Sequence, residues 1–400
     1  YTPDDPLYRA LSNALEAREA QAEAPFQKLN FGRRFLRPGN SHPAVPELRI
    51  RMADQGFLGD TELAEGDDPF VYDPALVAAV KAFQGVKGEK TDGVIGPNTL
   101  RLINRGVADE VNQIRMNMQR LRDLRRDRRA DKRVEVSIAE YRLLAYDGGG
   151  VVLDMPVVVG KPKRQTLSFS TEIRGVRFNP GWTVPDTIKK EDYLPKLLED
   201  PTYLENQNIL ILSDWTGEAE VVDPTTIDWA GLSEGELKAM RMFKPAGRNN
   251  PLGQIRVLMH NPYDIFIHDT NTARLFQRAK RAYSSGCIRV AEPIALTNFL
   301  FNGNKADWTD DKAEFYLNRG RTADILLDEY IPVYLDYLTA WLSDEGSVIL
   351  GQDVYGLDEG DVDQVKIFAD REYLRPLLHV NLFMDIVNEP ILEADALHRI

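Results

Sequence analysis

A cysteine and a histidine are the residues whose types and sequence neighbours could support covalent catalysis. His268 ends an apolar segment, and Cys287 follows a glycine, Gly286, further along the chain. A thiol with its ordinary pKa of about 8.5 is a weak nucleophile at neutral pH. An imidazole can accept the thiol proton or, as imidazolium, stabilise the thiolate. Gly286 leaves room for a substrate carbonyl, and backbone N–H groups around Cys287 can form an oxyanion hole.

Cys287 is the only cysteine among the 400 residues, so an intramolecular disulfide is impossible. A lone cysteine is either a small buried apolar residue or a nucleophile, and both alternatives stand at this point. The spacing of His268 and Cys287 along the chain does not by itself bring them together. Because the sequence has no HExxH pair and no cysteine cluster, we expect no metal. We expect no cofactor either.

Composition narrows the class of protein. The chain has 62 acidic and 49 basic residues, a net charge of −13, and is 43% hydrophobic. These values are typical of a globular protein and exclude a wholly disordered or collagen-like chain. Nucleic-acid binding is disfavoured because it usually needs a basic surface. No segment has the roughly 18 or more apolar residues that span a bilayer.

The first part of the chain has the apolar periodicity of helices. Asp73 is a predicted N-cap, with Pro74 as the first helical residue. The predicted helices cover residues 6–23, 45–55, 73–84, 98–104 and 107–129.

From Val134 the pattern alternates with a period of two, which predicts strands. More helical and irregular sequence interrupts it over about residues 190–248. We therefore predict an α+β protein in which helical segments and a small helical module precede a β-rich domain with an inserted capping subdomain. The predicted segments are an N-terminal helical scaffold (1–68), the module (69–106), a linking helix (107–133), the β-rich domain (134–360) and a C-terminal extension (361–400).

Two motifs resemble one enzyme signature. His268-Asp-Thr and Ser284-Ser-Gly-Cys-Ile-Arg289 are similar to the signature of the L,D-transpeptidases with a YkuD-type catalytic domain, in their long Gram-negative form. Further matching segments are Val158-Val-Gly-Lys161 with Thr166, Asn179-Pro-Gly-Trp182-Thr-Val-Pro185, Asn250-Pro-Leu-Gly253, Ile331-Pro-Val-Tyr334 and Thr339-Ala-Trp341. Two positions depart from the family pattern. Gly181 stands where an aromatic residue is expected, and His260 where an apolar residue or proline is expected.

Residues 69–105 resemble a small helical peptidoglycan-binding domain. The matching pattern is an apolar helix that ends in Phe83-Gln84, followed by Asp92-Gly-Val-Ile-Gly-Pro97. Such a module either binds glycan or acts as a spacer. With it, the resemblance covers residues 69–358.

The resemblance implies that Cys287 and His268 meet and that the protein is a cysteine acyltransferase. The Cys287 thiolate is expected to attack the third residue of a stem tetrapeptide, a diaminopimelate, and release D-alanine as it forms a thioester. An acceptor amine then resolves the thioester to a 3→3 cross-link, or a protein or D-amino acid is attached. His268 is the expected general base. Asp269 is expected to orient the imidazole through its carbonyl or side chain, and Gly286 belongs to the catalytic turn.

The resemblance also implies a substrate groove. Arg289 is expected to bind a substrate carboxylate, for which a guanidinium fork is suited. Structural roles stay open as alternatives: a salt bridge under the loop for Arg289, and a core position for Trp182. The expected substrate-binding residues are Arg289, Ser285, Tyr283, Asn271, Trp182 and Asn179.

The expected setting is the periplasm or cell envelope, in peptidoglycan biosynthesis and the maintenance of cell shape. The chain starts at Tyr1 rather than at a methionine, which is compatible with a removed export signal. Expected partners are peptidoglycan stem peptides, an outer-membrane protein or lipoprotein acceptor, and carbapenem β-lactams as covalent inhibitors. Two alternatives remain. One is a cysteine hydrolase of the cell wall, although papain-like enzymes place the cysteine before the histidine. The other is a non-catalytic wall-binding scaffold.

Overall fold

Two units of different secondary structure make up the computed structural model, which describes residues 5–20, 27–32, 35–59, 66–87, 89–124, 130–216, 218–343 and 345–359. The first unit contains the described residues up to 124 together with 277–280 and 337–359. The second contains residues 130–276 and 281–336. The predicted α+β class is confirmed. Among the described residues, no helix has the length and apolar character needed to cross a membrane. The predicted C-terminal extension, 361–400, lies outside these residues.

Five helices open the first unit. They are α1 (Pro6–Glu19), α2 (Val45–Asp54), α3 (Pro74–Val86), α4 (Pro97–Ile103) and α5 (Val107–Leu124). Asp73 caps α3, as predicted: its carboxylate accepts hydrogen bonds from the backbone N–H groups of Ala75 and Leu76. The last residues of two predicted helices, 21–23 and 125–129, lie outside the described part of the chain.

Contacts between Gln84 and Gly93 explain why Phe83-Gln84 is followed by the Asp92–Pro97 motif. Gly93 has φ +71°, a conformation that favours glycine. The buried Gln84 amide accepts from the Gly93 N–H at 2.8 Å and donates to the Val94 carbonyl at 3.1 Å. The Tyr72 hydroxyl donates to the Gly93 carbonyl at 2.9 Å. These side chains fix the turn between α3 and α4 above an apolar core that α2 shares, through Leu48, Met52, Leu76, Val80 and Phe83 among others.

The second unit is built around a closed sheet. Its strands in chain order are β1 (Arg133–Ser137), β2 (Arg142–Asp147), β3 (Gly150–Gly160), β4 (Phe169–Phe178), β5 (Trp182–Thr183), β6 (Leu210–Leu212), β7 (Arg241–Lys244), β8 (Ile255–Met259), β9 (Ile267–His268), β10 (Ala282–Ser284), β11 (Ile288–Val290) and β12 (Ala323–Asp336). The hydrogen-bonded order is β3-β11-β9-β8-β4-β12-β1-β2, and β2 pairs with β3 again. The strand order therefore closes into an eight-stranded barrel, with β10 added alongside β3.

Alternation along the strands places apolar side chains in the core of the second unit. In β1, for example, Val134 and Val136 are buried and their neighbours are partly exposed. Helices α10 (Pro293–Phe301) and α11 (Asp311–Asn318) lie between β11 and β12 in the chain. A 3₁₀ turn, Ala273–Gln277, precedes β10.

The segment between β4 and β8 has a sheet and a core of its own. Its strand order is β5-β7-β6. Its helices are α6 (Asp186–Ile188), α7 (Leu194–Glu199), α8 (Tyr203–Asn206) and α9 (Glu234–Ala239), with a π-helical turn at Lys189–Tyr193 and a 3₁₀ turn at Pro224–Thr226. Its core contains Val184, Leu197, Leu204, Ile209, Ile211, Trp229, Leu237 and Met242. We call the segment from Trp182 to Lys244 the inserted segment. It starts earlier than the interruption at about 190 in the sequence pattern, because β5 pairs with β7.

Phe243 accounts for the unusual glycine at position 181. A Cβ on Gly181 would lie 2.3 Å from Cζ of the Phe243 ring. Phe243 stands on β7, which pairs with β5 directly after Gly181. The aromatic ring thus comes from a neighbouring strand rather than from position 181, and the departure from the family pattern is compensated in space.

Residues 337–359 complete the first unit, although the sequence placed them with the β-rich domain. They form the hairpin β13 (Ala340–Leu342) and β14 (Val348–Leu350). Buried polar groups of α5 bind this part of the chain. The Asn117 amide donates to Thr339 Oγ1 at 2.7 Å, and Arg120 pairs with Asp358 at 2.7 Å. The segment therefore belongs to the helical unit. It supplies the carboxylate that the buried Arg120 needs as a partner.

Gly181→Ala should destabilise the protein by about 1–3 kcal/mol, since the new methyl group collides with the Phe243 ring. Chemical denaturation of Gly181→Ala, Phe243→Ala and the double variant measures the coupling. The cost of Gly181→Ala should be smaller in the Phe243→Ala background. Gly235→Ala in α9 is the control, because its Cβ would meet nothing nearer than 4.0 Å. Equal costs in both backgrounds would contradict the compensation.

Candidate active site

His268 lies on β9, and Cys287 directly precedes β11, the adjacent parallel strand. In the register of β9 and β11, Ile267 pairs with Ile288 and His268 with Arg289. The Ile288 N–H donates to the Phe266 carbonyl at 2.8 Å, so Cys287 stands at the start of β11, level with Phe266. Ile267 and Ile288 are fully buried in the core. Because side chains alternate along a strand, His268 and Arg289 lie on the opposite face of the sheet.

His268 stands in a cross-strand row between two arginines. Arg256 on β8 pairs with His268, which in turn pairs with Arg289 on β11. Directly paired residues have side chains on the same face of a sheet. The imidazole is 4% exposed. Burial first, and then the charges of Arg289 and Arg256, lower the pKa of His268 to about 3. The imidazole is therefore neutral at physiological pH.

Asp269 holds the imidazole through its backbone. Nδ1 of His268 lies 2.5 Å from the Asp269 carbonyl oxygen. A carbonyl only accepts, so Nδ1 of the neutral ring carries the hydrogen in this contact. A backbone hydrogen bond with Leu252 also acts on the imidazole, and both hydrogen bonds oppose the effect of burial on its pKa. The Asp269 carboxylate is engaged elsewhere: it accepts from the Gln254 N–H at 2.9 Å and the Thr270 N–H at 2.6 Å. The carboxylate also packs against Gly253, where an added Cβ would lie 2.3 Å from Asp269 Oδ2. Burial raises the pKa of Asp269.

Cys287 is partly exposed and protonated in its resting state. Its Sγ lies 3.6 Å from the Asp264 carbonyl oxygen, which accepts the thiol hydrogen. Burial raises the pKa of the thiol, against the opposing effects of a Phe266 backbone hydrogen bond and the charges of Arg256 and Arg289. The same two arginines therefore act on Cys287 and His268. In the resting state the thiol and the imidazole, which belong to neighbouring segments of the sheet, are both neutral.

The turn before Cys287 is fixed by hydroxyl groups. Gly286 has φ +119°, which favours glycine, and its Cβ position has no close contact. The buried Ser284 hydroxyl donates to the Cys287 carbonyl at 2.5 Å and accepts from the Gly286 N–H at 3.2 Å. The Thr166 hydroxyl donates to the Gly286 carbonyl at 2.6 Å. We call Ser284–Gly286 the nucleophile turn. It holds the backbone on which the reacting sulfur stands.

Four of the predicted substrate-binding residues lie in or beside this region. Arg289 lies in the His268 row, and its Nε is buried with no hydrogen-bond partner among the described residues. Tyr283 and Ser285 are exposed on either side of the buried Ser284. The exposed Asn271 follows His268 by three residues and donates to the Asn249 carbonyl at 3.2 Å.

The other two predicted substrate-binding residues have structural surroundings. Asn179 is 6% exposed, and its amide donates to the backbone carbonyls of Tyr316, Leu317 and Arg321 at 3.0–3.3 Å. Trp182 packs against the core of the inserted segment. These contacts lie within the fold, and the substrate-binding role of the two residues stays a prediction.

Sequence analysis did not identify two residues, Arg256 and Asp264, that act on His268 or Cys287 in the structure. Arg256 is identified only by its register with His268, although its position between the buried Ile255 and Val257 indicated an outward side chain. Asp264 contributes a backbone carbonyl from a residue with φ +53°. No side-chain motif signals such a carbonyl.

Two family models match the chain. Residues 131–307 match the model described as "L,D-transpeptidase catalytic domain". Residues 41–103 match the model described as "Putative peptidoglycan binding domain". The second match begins before the predicted module at residue 69, which agrees with the core that α2 and α3 share.

Individual proteins are similar over part of their length. A curated "Putative L,D-transpeptidase" of Haemophilus influenzae is 32% identical over 246 residues, 62% of this chain and 48% of that protein. The chain thus aligns with about half of this relative. An L,D-transpeptidase structure from Mycobacterium smegmatis has a TM-score of 0.25 and 12% identity, over 52% of this chain and 58% of that one. The structure of LdtMt1 in complex with imipenem has a TM-score of 0.23 and 12% identity, over 52% of this chain and 59% of that one.

The reactivity of Cys287 toward iodoacetamide should rise continuously from about pH 5 to about pH 9, because the thiol has a raised pKa and His268 is already neutral there. Mass spectrometry of the adduct measures the rate, and the single cysteine makes each adduct unambiguous. Glutathione is the reference thiol, and Cys287→Ala the blank. A reactive plateau below about pH 6.5 would instead indicate a thiolate–imidazolium pair.

Proposed function

We propose that this chain belongs to the L,D-transpeptidase family and acts on peptidoglycan with Cys287 as the acyl carrier; the match of residues 131–307 to the catalytic-domain model supports this. The observation that carries the proposal is the register of β9 and β11, in which a neutral His268 and a protonated Cys287 share the same two arginine neighbours. A neutral base beside a protonated thiol is the resting state that general-base activation requires.

In the first step, Nε2 of His268 takes the thiol proton as Sγ of Cys287 attacks the carbonyl carbon of the third stem residue, a diaminopimelate. The C–S bond forms, the C–N bond to the terminal D-alanine breaks, and the imidazolium returns its proton to the leaving amine. Backbone N–H groups around Cys287 that the fold leaves unengaged stabilise the oxyanion. Burial and two nearby arginines make the imidazolium short-lived, which favours rapid return of the proton.

In the second step, an acceptor amine attacks the thioester. His268 takes a proton from the amine, the new C–N bond forms, the C–S bond breaks, and Cys287 regains its proton. The acceptor is the side-chain amine of a second stem in the primary proposal, which gives a 3→3 cross-link. Attachment of an envelope protein or a D-amino acid uses the same thioester and differs only in the amine.

We assign the terminal carboxylate of the donor stem to Arg289. Its guanidinium lies in the same row as His268, and its Nε is buried without a partner among the described residues. Burial lowers the pKa of this arginine, and the negative charge of a Cys287 thiolate opposes that effect. A carboxylate would accept a hydrogen bond from this Nε.

The helical unit supports a setting at the cell wall. Its residues 41–103 match a peptidoglycan-binding family model, so we propose that it holds the enzyme on its polymeric substrate in the cell envelope. We further propose that carbapenems acylate Cys287, because they present a strained amide carbonyl to the nucleophile.

Cys287→Ala should abolish both cross-linking of disaccharide-tetrapeptides and formation of an imipenem adduct. His268→Gln should slow both by about 10²–10⁴-fold, the usual contribution of general-base catalysis. Mass spectrometry of products and of intact protein measures these effects. Shortened stems without dimers would identify a hydrolase. A folded wild-type protein that takes no adduct would support the scaffold alternative.

Arg289→Gln should raise KM for the tetrapeptide donor about tenfold or more, because a charge-assisted hydrogen bond contributes about 1.5–3 kcal/mol. A donor that ends in D-alaninamide tests the assignment. The wild type should use it poorly, and Arg289→Gln should lose little further. The iodoacetamide rate of the variant controls for altered thiol reactivity. An equal loss with both donors would argue against carboxylate recognition.

A further inference from the structure

The loop that follows β3 holds three successive residues of the nucleophile turn. The Lys161 N–H donates to the Ser284 carbonyl at 2.9 Å. Arg164 Nη1 donates to the Ser285 hydroxyl at 3.0 Å, and the Thr166 hydroxyl donates to the Gly286 carbonyl at 2.6 Å. The loop lies close against the end of β3, since a Cβ on Gly160 would be 2.2 Å from the Arg164 carbonyl oxygen. The turn that carries Cys287 is therefore held by this loop.

Arg164 also binds the inserted segment. Its Nε and Nη2 donate to Glu191 at 3.1 and 2.6 Å, and Nη1 and Nη2 donate to Asp192 at 2.7 and 3.0 Å. The arginine side chain is 7% exposed, whereas both carboxylates reach solvent. One guanidinium thus connects two carboxylates of the inserted segment to a hydroxyl next to Gly286. Such forked, charge-assisted contacts are strong and directional.

The π-helical turn explains how two neighbouring carboxylates reach one guanidinium. Neighbouring positions of an α-helix do not share a face. Glu191 and Asp192 lie in the wider turn Lys189–Tyr193, a geometry often found at functional sites. On either side, Ile188 and Tyr193 pack against the core of the inserted segment. The position of the two carboxylates is therefore set by the inserted segment as a whole.

We propose that Arg164 is a positioning residue that couples the inserted segment to the nucleophile turn, so that the turn has its acyl-accepting geometry only when Glu191 and Asp192 are bound. This inference rests on the proposed transferase function. Arg164 acts through Ser285 and the backbone of the turn rather than on the substrate. Small displacements of a reacting group from its productive geometry have large effects on rate.

Two reactions of the same thiol separate positioning from thiol reactivity. Acylation by imipenem needs the carbonyl to sit against the turn, whereas alkylation by iodoacetamide needs only an accessible thiolate. Arg164→Gln in the full chain should slow acylation about tenfold or more and alter alkylation less than about threefold. Arg164→Lys, which keeps the charge without the fork, should give an intermediate acylation rate. Glu191→Gln with Asp192→Asn should reproduce the loss seen in Arg164→Gln.

Non-additivity identifies the coupling. When Arg164→Gln is combined with Glu191→Gln and Asp192→Asn, the acylation rate should fall no further than in the worse parent. Ser285→Ala, a small change in an exposed hydroxyl, should slow acylation in the wild type and have no further effect in Arg164→Gln. This variant tests the proposal even if Arg164→Gln does not fold.

Arg142→Gln is the matched control. Arg142 forms the same kind of fork in the same barrel, with Asp154 at 2.6 and 2.7 Å and Glu140 at 2.9 Å. None of these three hydrogen bonds reaches the nucleophile turn or the inserted segment, so its acylation rate should equal that of the wild type.

Two results would overturn the coupling: additive losses in the combined variant, or acylation in folded Arg164→Gln and Ser285→Ala at the wild-type rate. A wild-type protein that is alkylated but never acylated would instead overturn the proposed transferase function.

Discussion

The placement of His268 between Arg256 and Arg289 on neighbouring strands is the constraint on which the site depends. It makes the imidazole a poor cation, because burial and two guanidinium charges lower its pKa to about 3. Cys287 is held in its protonated form by burial in the same place. The site therefore cannot rely on a stored ion pair. In the reaction that we propose, the proton is therefore transferred as the substrate carbonyl arrives, and the rate depends on the groups that position the carbonyl and the sulfur.

The barrel supplies rigidity for the histidine, while loops supply the geometry of the cysteine. His268 is fixed by strand register and by the Asp269 carbonyl. Cys287 stands after a turn whose three residues are held by the segment Lys161–Thr166. This division agrees with the general use of loops on a rigid scaffold for reactive groups. Arg164 lies in this segment and binds both Ser285 of the turn and Glu191 and Asp192 of the inserted segment.

Local chemistry in the sequence identified much of this arrangement, and non-local pairing accounts for the rest. Cys287, Gly286 and His268 were recognisable because their residue types and order carry the chemistry. Asp73 was recognisable as a helix cap for the same reason. Arg256 was missed because its partner lies on another strand, and register between distant strands is not encoded in a short motif. Phe243 occupies the space at Gly181 by strand pairing alone. The motif that carries Asn179 and Trp182 did not indicate their contacts within the fold, because these contacts join segments that are distant in the chain.

The return of residues 337–359 to the helical unit has a consequence for synthesis of the protein. Helix α5 is made early, yet its buried Asn117 and Arg120 find Thr339 and Asp358 only near the end of the described chain. A domain usually folds as it leaves the ribosome, the N-terminal one first. Here the helical unit begins before the barrel in the chain but is completed after it, because residues 337–359 of the helical unit follow the barrel. Until then the Arg120 guanidinium lacks the carboxylate of Asp358. The helical unit therefore cannot finish folding before the barrel has been translated.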